Sequence, residues 1–190
     1  YLFVFISGHG NMIQKQAQQQ FRFQPSGFVT GTELTGTVDY KNYILGFLDE
    51  FDCKVVVFVD ACHSGGVGNK ASAEEITSAL IEAHKSSPGL ITFTSCNSGE
   101  RSYENAAYQN GIFTEALLEA MEGSSEFRAF MASDTSSLVT INKLYNYLQL
   151  RIPQLLEDVK EQGEKEKNQT PQLIMHDPDF NGNLTLFILE

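Results

Sequence analysis

Uninterrupted apolar runs mark the strands of this chain. YLFVFIS opens the sequence, KVVVFVD covers residues 54–60, and LITFTS covers residues 90–95. Such runs are typical of strands in a mainly parallel sheet, which helices cover on both faces. A chain seldom begins inside a core, so we expect that residue 1 is not the biological N-terminus and that further strands precede it.

Helical periodicity occupies the segments between and after these strands. In residues 39–51, apolar positions recur at i, i+3, i+4 and i+7, with Asp39 as the N-cap. Further helices are predicted at about residues 73–84, at 111–121 and at 140–152, the last of them ended by Pro153. The Gln-rich segment QKQAQQQ fits either a short helix or a flexible loop.

The C-terminal region predicts two short strands, around Gln172–His176 and Leu184–Leu189, joined by an Asn-Gly turn. The charged segment EDVKEQGEKEKNQT before them is typical of an exposed loop. Strands that alternate with helices predict one α/β domain, with a mostly parallel sheet and helices on both faces.

The charge balance narrows the choice of partners. The 190 residues include 13 Lys+Arg and 24 Asp+Glu, a formal net charge of −11. Phosphate-binding surfaces need clustered positive charge, so neither nucleic acid nor an anionic membrane is an expected partner. The 3 cysteines are too few for a disulfide framework and indicate a reducing compartment. No signal segment or membrane span is evident, so we expect a cytoplasmic protein.

Two turns rich in small residues follow the first two strands, and each carries a reactive side chain. His9 lies in SGHG after YLFVFIS, and Cys62 lies in DACHSGG after KVVVFVD. If the two strands are neighbours, both turns lie at the sheet edge where parallel strands collect ligands. A free thiol is mostly protonated at neutral pH, and a nearby imidazole can remove its proton. The pair therefore predicts a cysteine nucleophile with a histidine base.

The same segments carry a family resemblance. SGHG and DACHSGG resemble the histidine and cysteine motifs of caspase-like cysteine peptidases, in particular metacaspases and their bacterial relatives. TSCNSGERSYEN and GIFTEALLEAM resemble the start of the small subunit, and TINKLYNYLQLRI with QTPQL resembles the final helix and strands. The resemblance implies a caspase-like fold whose N-terminal strands are absent from this chain. Its single domain would comprise a large-subunit-like part at about 1–66, a linker at about 67–89 and a small-subunit-like part at about 90–190.

The resemblance also implies roles for individual residues. His9 would be the general base and acid, Cys62 the nucleophile, and the backbone N–H groups of Gly10 and Cys62 the oxyanion hole. Asp60 stands two residues before the cysteine, where metacaspases have an acidic wall of the pocket for the residue preceding the scissile bond. The implied activity is cleavage of protein or peptide substrates after Arg or Lys.

The end of the third strand supplies further candidates for the pocket. Ser95 and Cys96 end the third strand and are predicted to bind substrate. Two alternatives stay open: a preference for Asp with Arg101 as the pocket cation, and a catalytically silent caspase-like scaffold. A regulatory domain or partner upstream of residue 1 is also expected.

No metal ligands are predicted from the residues. Zinc is not expected, because neither C-x-x-C nor H-x-x-x-H occurs. The resemblance raises calcium dependence, but the nearest acidic residues, Asp39, Asp49 and Glu50, lack a convincing spacing. The segment DPDFNGNLT follows the EF-hand pattern only over its first nine positions, and Ile188 stands where the bidentate Glu belongs.

Overall fold

A computed structural model describes residues 1–15, 18–25, 27, 29, 31–32, 35–63, 89–97, 100–159, 167–175 and 182–189. The strands are β1 Leu2–Lys15, β2 Gln18–Gln24, β3 Val38–Asp39, β4 Val55–His63, β5 Leu90–Thr94, β6 Glu104–Asn105, β7 Asn110–Gly111, β8 Leu138–Thr140, β9 Gln172–Met175 and β10 Thr185–Ile188. The helices are α1, formed by the π-helical turns Tyr40–Leu45 and the α-helical turn Gly46–Leu48, α2 Ile112–Glu122, α3 Ser125–Met131 and α4 Ile141–Glu157.

The main sheet has six strands in the order β3-β2-β1-β4-β5-β9. The central strands β1, β4 and β5 are parallel, as the apolar runs predict. The flanking pairs β1–β2, β2–β3 and β5–β9 are antiparallel. The α/β class is therefore confirmed, and the sheet is mixed, with its parallel strands at the centre.

Apolar side chains of β4 alternate between the two faces of the sheet. Val56 and Phe58 join the core cluster that contains α2 and α4, whereas Val57 and Val59 join the cluster that contains α1. Helices thus cover both faces, as predicted. This alternation decides which helix each later residue of β4 can reach.

The first strand is less buried than its composition predicts. Leu2, Val4 and Ile6 pack against the α1 cluster. Phe3 and Phe5, on the other face, are 44% and 48% exposed. The prediction that YLFVFIS is buried on both faces is therefore wrong in this structure, because α2 and α4 pack over β4 and β5.

The first predicted turn is extended strand, and so is the start of the second, whose residues 64–69 lie outside the described part. β1 continues through SGHG to Lys15, and β4 continues through DACH to His63. Pairing between the two strands persists as far as Gly10 opposite His63. Small residues do not end a strand when a neighbouring strand supplies hydrogen-bond partners for its backbone.

The Gln-rich segment is neither a helix nor a loop where the structure describes it. β2 pairs antiparallel with the second half of β1, and its Phe21 and Phe23 are buried. Residues 16–17 lie outside the described part. Strand structure here comes from pairing with β1 and from burial of the two phenylalanines.

The helices predicted at residues 39–51 and 111–121 are present in the structure, although α1 already ends at Leu48. Helix α4 runs through Pro153 to Glu157, so the predicted stop is wrong. Leu155 and Leu156 are buried, and their packing holds the turn after the proline. The helix predicted at about 73–84 lies outside the described residues.

The two C-terminal strands exist but do not form the predicted hairpin. β9 pairs with β5 at the edge of the main sheet, and β10 pairs with β8 in a separate two-stranded sheet. Each of these two strands therefore pairs with a strand that is distant in sequence, and not with the other.

Candidate active site

The parallel pairing of β1 with β4 brings the two predicted catalytic positions together. In the parallel register, His9 is the partner of Cys62, and the preceding pairs run without interruption from Leu2 opposite Val55. His9 is exposed to solvent. Apolar residues on β1 and β4 fix this register, because a slip by one position would exchange the buried and exposed faces of the strands.

Two positions earlier on the same face of the sheet, Ser7 is the register partner of Asp60. Ser7 is exposed, whereas Asp60 is only 6% exposed. Two register pairs, one with an acidic residue and one with His9 and Cys62, therefore lie side by side at the carboxyl ends of the parallel strands, where α/β sheets bind ligands. Sequence reasoning missed Ser7.

The Asp60 carboxylate accepts hydrogen bonds from two hydroxyl groups. Ser102 Oγ donates to Oδ1 at 2.6 Å, and Thr114 Oγ1 donates to Oδ2 at 2.5 Å. Asp60 follows Val56 and Phe58 on the face that α2 covers, so it meets Thr114 in the first turn of that helix. An ionised carboxylate is favoured near a helix N-terminus, where the backbone N–H groups carry partial positive charge.

Gly111 packs closely against the Asp60 carboxylate and restricts its position in addition to the two hydroxyl groups. A Cβ atom built on Gly111 would lie 2.4 Å from Asp60 Oδ2 and 3.2 Å from its Cγ. No side chain fits at that distance, so glycine is required for Asp60 to lie where it does. Gly111 is also the N-cap of α2, which ties the carboxylate position to the start of the helix.

The predicted substrate-binding residues Ser95 and Cys96 lie next to the end of β4 and are buried. The Ser95 N–H donates to the Val59 carbonyl at 2.9 Å, and Cys96 Sγ lies 3.9 Å from the Ala61 carbonyl oxygen. Their substrate-binding role stays a prediction. So does the oxyanion hole at Gly10 and Cys62: Gly10 is buried in β1 opposite His63.

Gln169 reaches the same region from the segment before β9. Its side-chain Nε2 donates to the Ser95 carbonyl at 3.1 Å and to Ser102 Oγ at 3.3 Å. Ser102, Thr114 and Gln169 were missed by sequence reasoning. The segments SYEN, GIFTEA and QTPQL contain them, but spacing does not reveal which polar atoms converge on one carboxylate.

Within the described part of the chain, no group of three or more His, Cys, Asp or Glu side chains could hold a metal ion. Asp39, considered above for calcium, forms a buried ion pair with Arg22 and caps α1 through Asn42 N. Arg101 is exposed, beside Ser102 in sequence. Calcium dependence stays a prediction.

Comparison with known proteins gives one family. A family model described as a caspase domain, of the peptidase C14 family, matches residues 1–180. A search of curated proteins found no significant match. No helix within the described ranges has the length and apolar character required to span a membrane.

Proposed function

The chain belongs to the caspase-domain family of cysteine peptidases, and from that premise we propose that it is an endopeptidase that cleaves after Arg or Lys. The observation that carries the proposal is the β1–β4 register, which pairs position 9 with position 62 at the carboxyl edge of the sheet. Register partners in a sheet share a face, as a base and its nucleophile require.

The reaction uses one proton carrier for two steps. His9 takes the thiol proton of Cys62 while the sulfur attacks the carbonyl carbon of the scissile bond. His9 then donates that proton to the leaving amine, and a thioester joins the new C-terminus to Cys62. Water, deprotonated by His9, attacks the thioester and releases the carboxylic acid and the thiol. Backbone N–H groups of Gly10 and Cys62 are the proposed donors to the oxyanion.

Asp60 supports the preference for a basic residue before the scissile bond. It is a buried carboxylate, and among the described residues no Lys, Arg or His side chain forms an ion pair with it. Burial of an unpaired charge is costly, so a cation supplied by the substrate would be stabilised there. An arginine guanidinium or a lysine ammonium meets this requirement.

Peptides with a fluorogenic leaving group test the proposal. Three matched peptides carry arginine, citrulline or aspartate before the scissile bond, and each is assayed with calcium and with a chelator. We expect cleavage of the arginine peptide and a loss of more than about a thousandfold in Cys62→Ala. Cys53→Ala, which changes an exposed thiol, serves as the matched control and should retain full activity.

The other outcomes identify the alternatives. Cleavage after aspartate would favour the pocket with Arg101 as its cation. Absence of cleavage of every peptide in both conditions would contradict the peptidase proposal and favour the silent scaffold. Equal activity of wild type and Cys62→Ala would show that another group performs the chemistry.

A further inference from the structure

The buried Asp60 carboxylate is held by neutral donors, and its part in substrate recognition rests on the proposed function. Both of its oxygens accept from neutral hydroxyl groups, Ser102 on Oδ1 and Thr114 on Oδ2. Hydroxyl groups can donate or accept, so they do not by themselves fix the direction of these bonds. For the Ser102 bond, a further group fixes which atom is the donor.

Gln169 fixes the direction of the Ser102 hydrogen bond. Its side chain is almost fully buried, and its Oε1 accepts from the Tyr103 backbone N–H at 2.9 Å. A backbone N–H can only donate, so this bond fixes which end of the amide is oxygen. The Nε2 end must then face the Ser95 carbonyl and Ser102 Oγ, and it donates to both.

The direction of the next bond follows. Ser102 Oγ accepts from Gln169, and its own hydrogen is directed to Asp60 Oδ1. The hydrogen bonds therefore form a chain in which every donor points the same way. It begins at the Tyr103 N–H, passes through Gln169 and Ser102, and ends at Asp60. Such a directed chain fixes Asp60 Oδ1 as an acceptor and so restrains the orientation of the carboxylate.

A second set of bonds holds the Gln169 segment in place. The Glu100 carboxylate accepts from the Thr170 N–H at 2.7 Å and from the Thr170 hydroxyl at 2.9 Å. Glu100 also accepts from the Asn97 N–H at 3.0 Å. The segment before β9 is thereby tied to the loop after β5, close to the residues that approach Asp60.

We propose that Gln169 and Ser102 are positioning residues that hold the Asp60 carboxylate oriented toward the guanidinium or ammonium group of the substrate residue before the scissile bond. Neither residue touches the reacting atoms. Their effect is on charge recognition, so they contribute to the choice of a basic over a neutral side chain and leave the thiol chemistry unchanged.

The test measures binding in the full chain with Cys62→Ala, so that no cleavage occurs. Two fluorescent peptides are compared, one ending in arginine and one in its neutral analogue citrulline. Gln169→Met and Ser102→Ala are introduced separately. The matched controls are Gln149→Met, an exposed glutamine of α4, and Thr92→Val, which removes a buried hydroxyl from the sheet face that α1 covers.

The expected readout is the ratio of the two dissociation constants. Ser102→Ala loses one hydrogen bond to a charged group and should reduce the preference for arginine about tenfold. Gln169→Met acts through Ser102 and should reduce the preference by a smaller factor. Citrulline binding should change little, whereas general loosening of the fold would weaken both peptides. The controls should keep the original ratio, and Asp60→Asn should abolish it.

The outcomes separate this inference from the proposed function. An unchanged ratio in both Gln169→Met and Ser102→Ala would overturn the positioning role even if wild type cleaves after arginine. No preference for arginine in the parent protein would overturn it as well. If the ratio shifts as expected but wild type cleaves no peptide, the positioning role stands and the peptidase proposal falls. Thermal melting of each variant confirms that the measured chains are folded.

Discussion

At the scale of single residues, the site depends on an acidic side chain in a tightly enclosed position. Asp60 is buried between the Ser102 hydroxyl, the Thr114 hydroxyl and the backbone of Gly111. These contacts leave the carboxylate little freedom to rotate. A preorganised carboxylate recognises a cation better than a mobile one, because less conformational entropy is lost on binding.

Gly111→Ala tests this enclosure without removing a hydrogen bond. The added Cβ would lie 2.4 Å from Asp60 Oδ2, so the carboxylate or the helix start must shift. We expect the free energy of unfolding to fall by about 1–3 kcal/mol, as for overpacking of a core, and the arginine preference to fall with it. Urea unfolding and the arginine-to-citrulline ratio measure the two effects.

Gly46→Ala is the matched control for that change. A Cβ on Gly46 would meet only the Lys41 carbonyl oxygen, at 3.8 Å, an ordinary contact distance. Alanine should stabilise this helical position by about 0.5–1 kcal/mol. Gly111→Ala behaving like Gly46→Ala would show that the carboxylate is not held against the helix start.

At the scale of elements, a buried ion pair joins β2, β3 and α1. Arg22 Nη1 lies 3.1 Å from Asp39 Oδ2, and Arg22 Nε donates to Thr37 Oγ1 at 2.6 Å. Asp39 Oδ1 also accepts from the Asn42 N–H and so caps α1. One carboxylate thus links the outer strands of the sheet to the helix on that face.

Arg22→Met should therefore be strongly destabilising. It leaves Asp39 buried without its cation, which costs about 3–5 kcal/mol of the free energy of unfolding. Lys143→Met is the matched control, since its partner Asp134 lies at the surface and exposed pairs contribute less than about 1 kcal/mol. Urea unfolding of both variants gives the comparison. Equal losses would contradict the structural role assigned to the Arg22–Asp39 pair.

The elements that sequence reasoning found are those with a local signal. Apolar runs predict β4 and β5, helical periodicity predicts α2, and the N-cap position of Asp39 is confirmed by its bond to Asn42 N. Strand β2 was missed because its Gln residues show no periodicity and its pairing partner is the continuation of β1. The pairing of β9 and β10 with separate strands depends on distant parts of the chain and has no local signal.

The candidate site shows the same division. The motifs around His9 and Cys62 are visible in sequence because each comes directly after an apolar run. The groups that hold Asp60 are not, because Ser102 and Thr114 lie 42 and 54 positions further along the chain. Their convergence is a product of the tertiary fold.

At the scale of the whole molecule, three parallel strands place the reactive positions at one edge. β4 lies between β1 and β5, so its carboxyl end is bordered by His9 on one side and by Ser95 on the other. Helix α2 and the segment before β9 contribute Thr114 and Gln169 to the same end of the sheet. Segments before residue 63 and after residue 89 therefore both contribute to the candidate site.

The most direct test of the account is covalent labelling of the nucleophile. The full chain is treated with a peptidyl-arginine chloromethyl ketone, which alkylates a thiolate with loss of chloride, and the adduct is located by mass spectrometry. We predict one adduct, on Cys62, whose formation slows about a hundredfold in His9→Ala and in the presence of excess arginine peptide. Labelling of Cys53 instead, or labelling of Cys62 at the same rate with and without His9, would contradict the central claim.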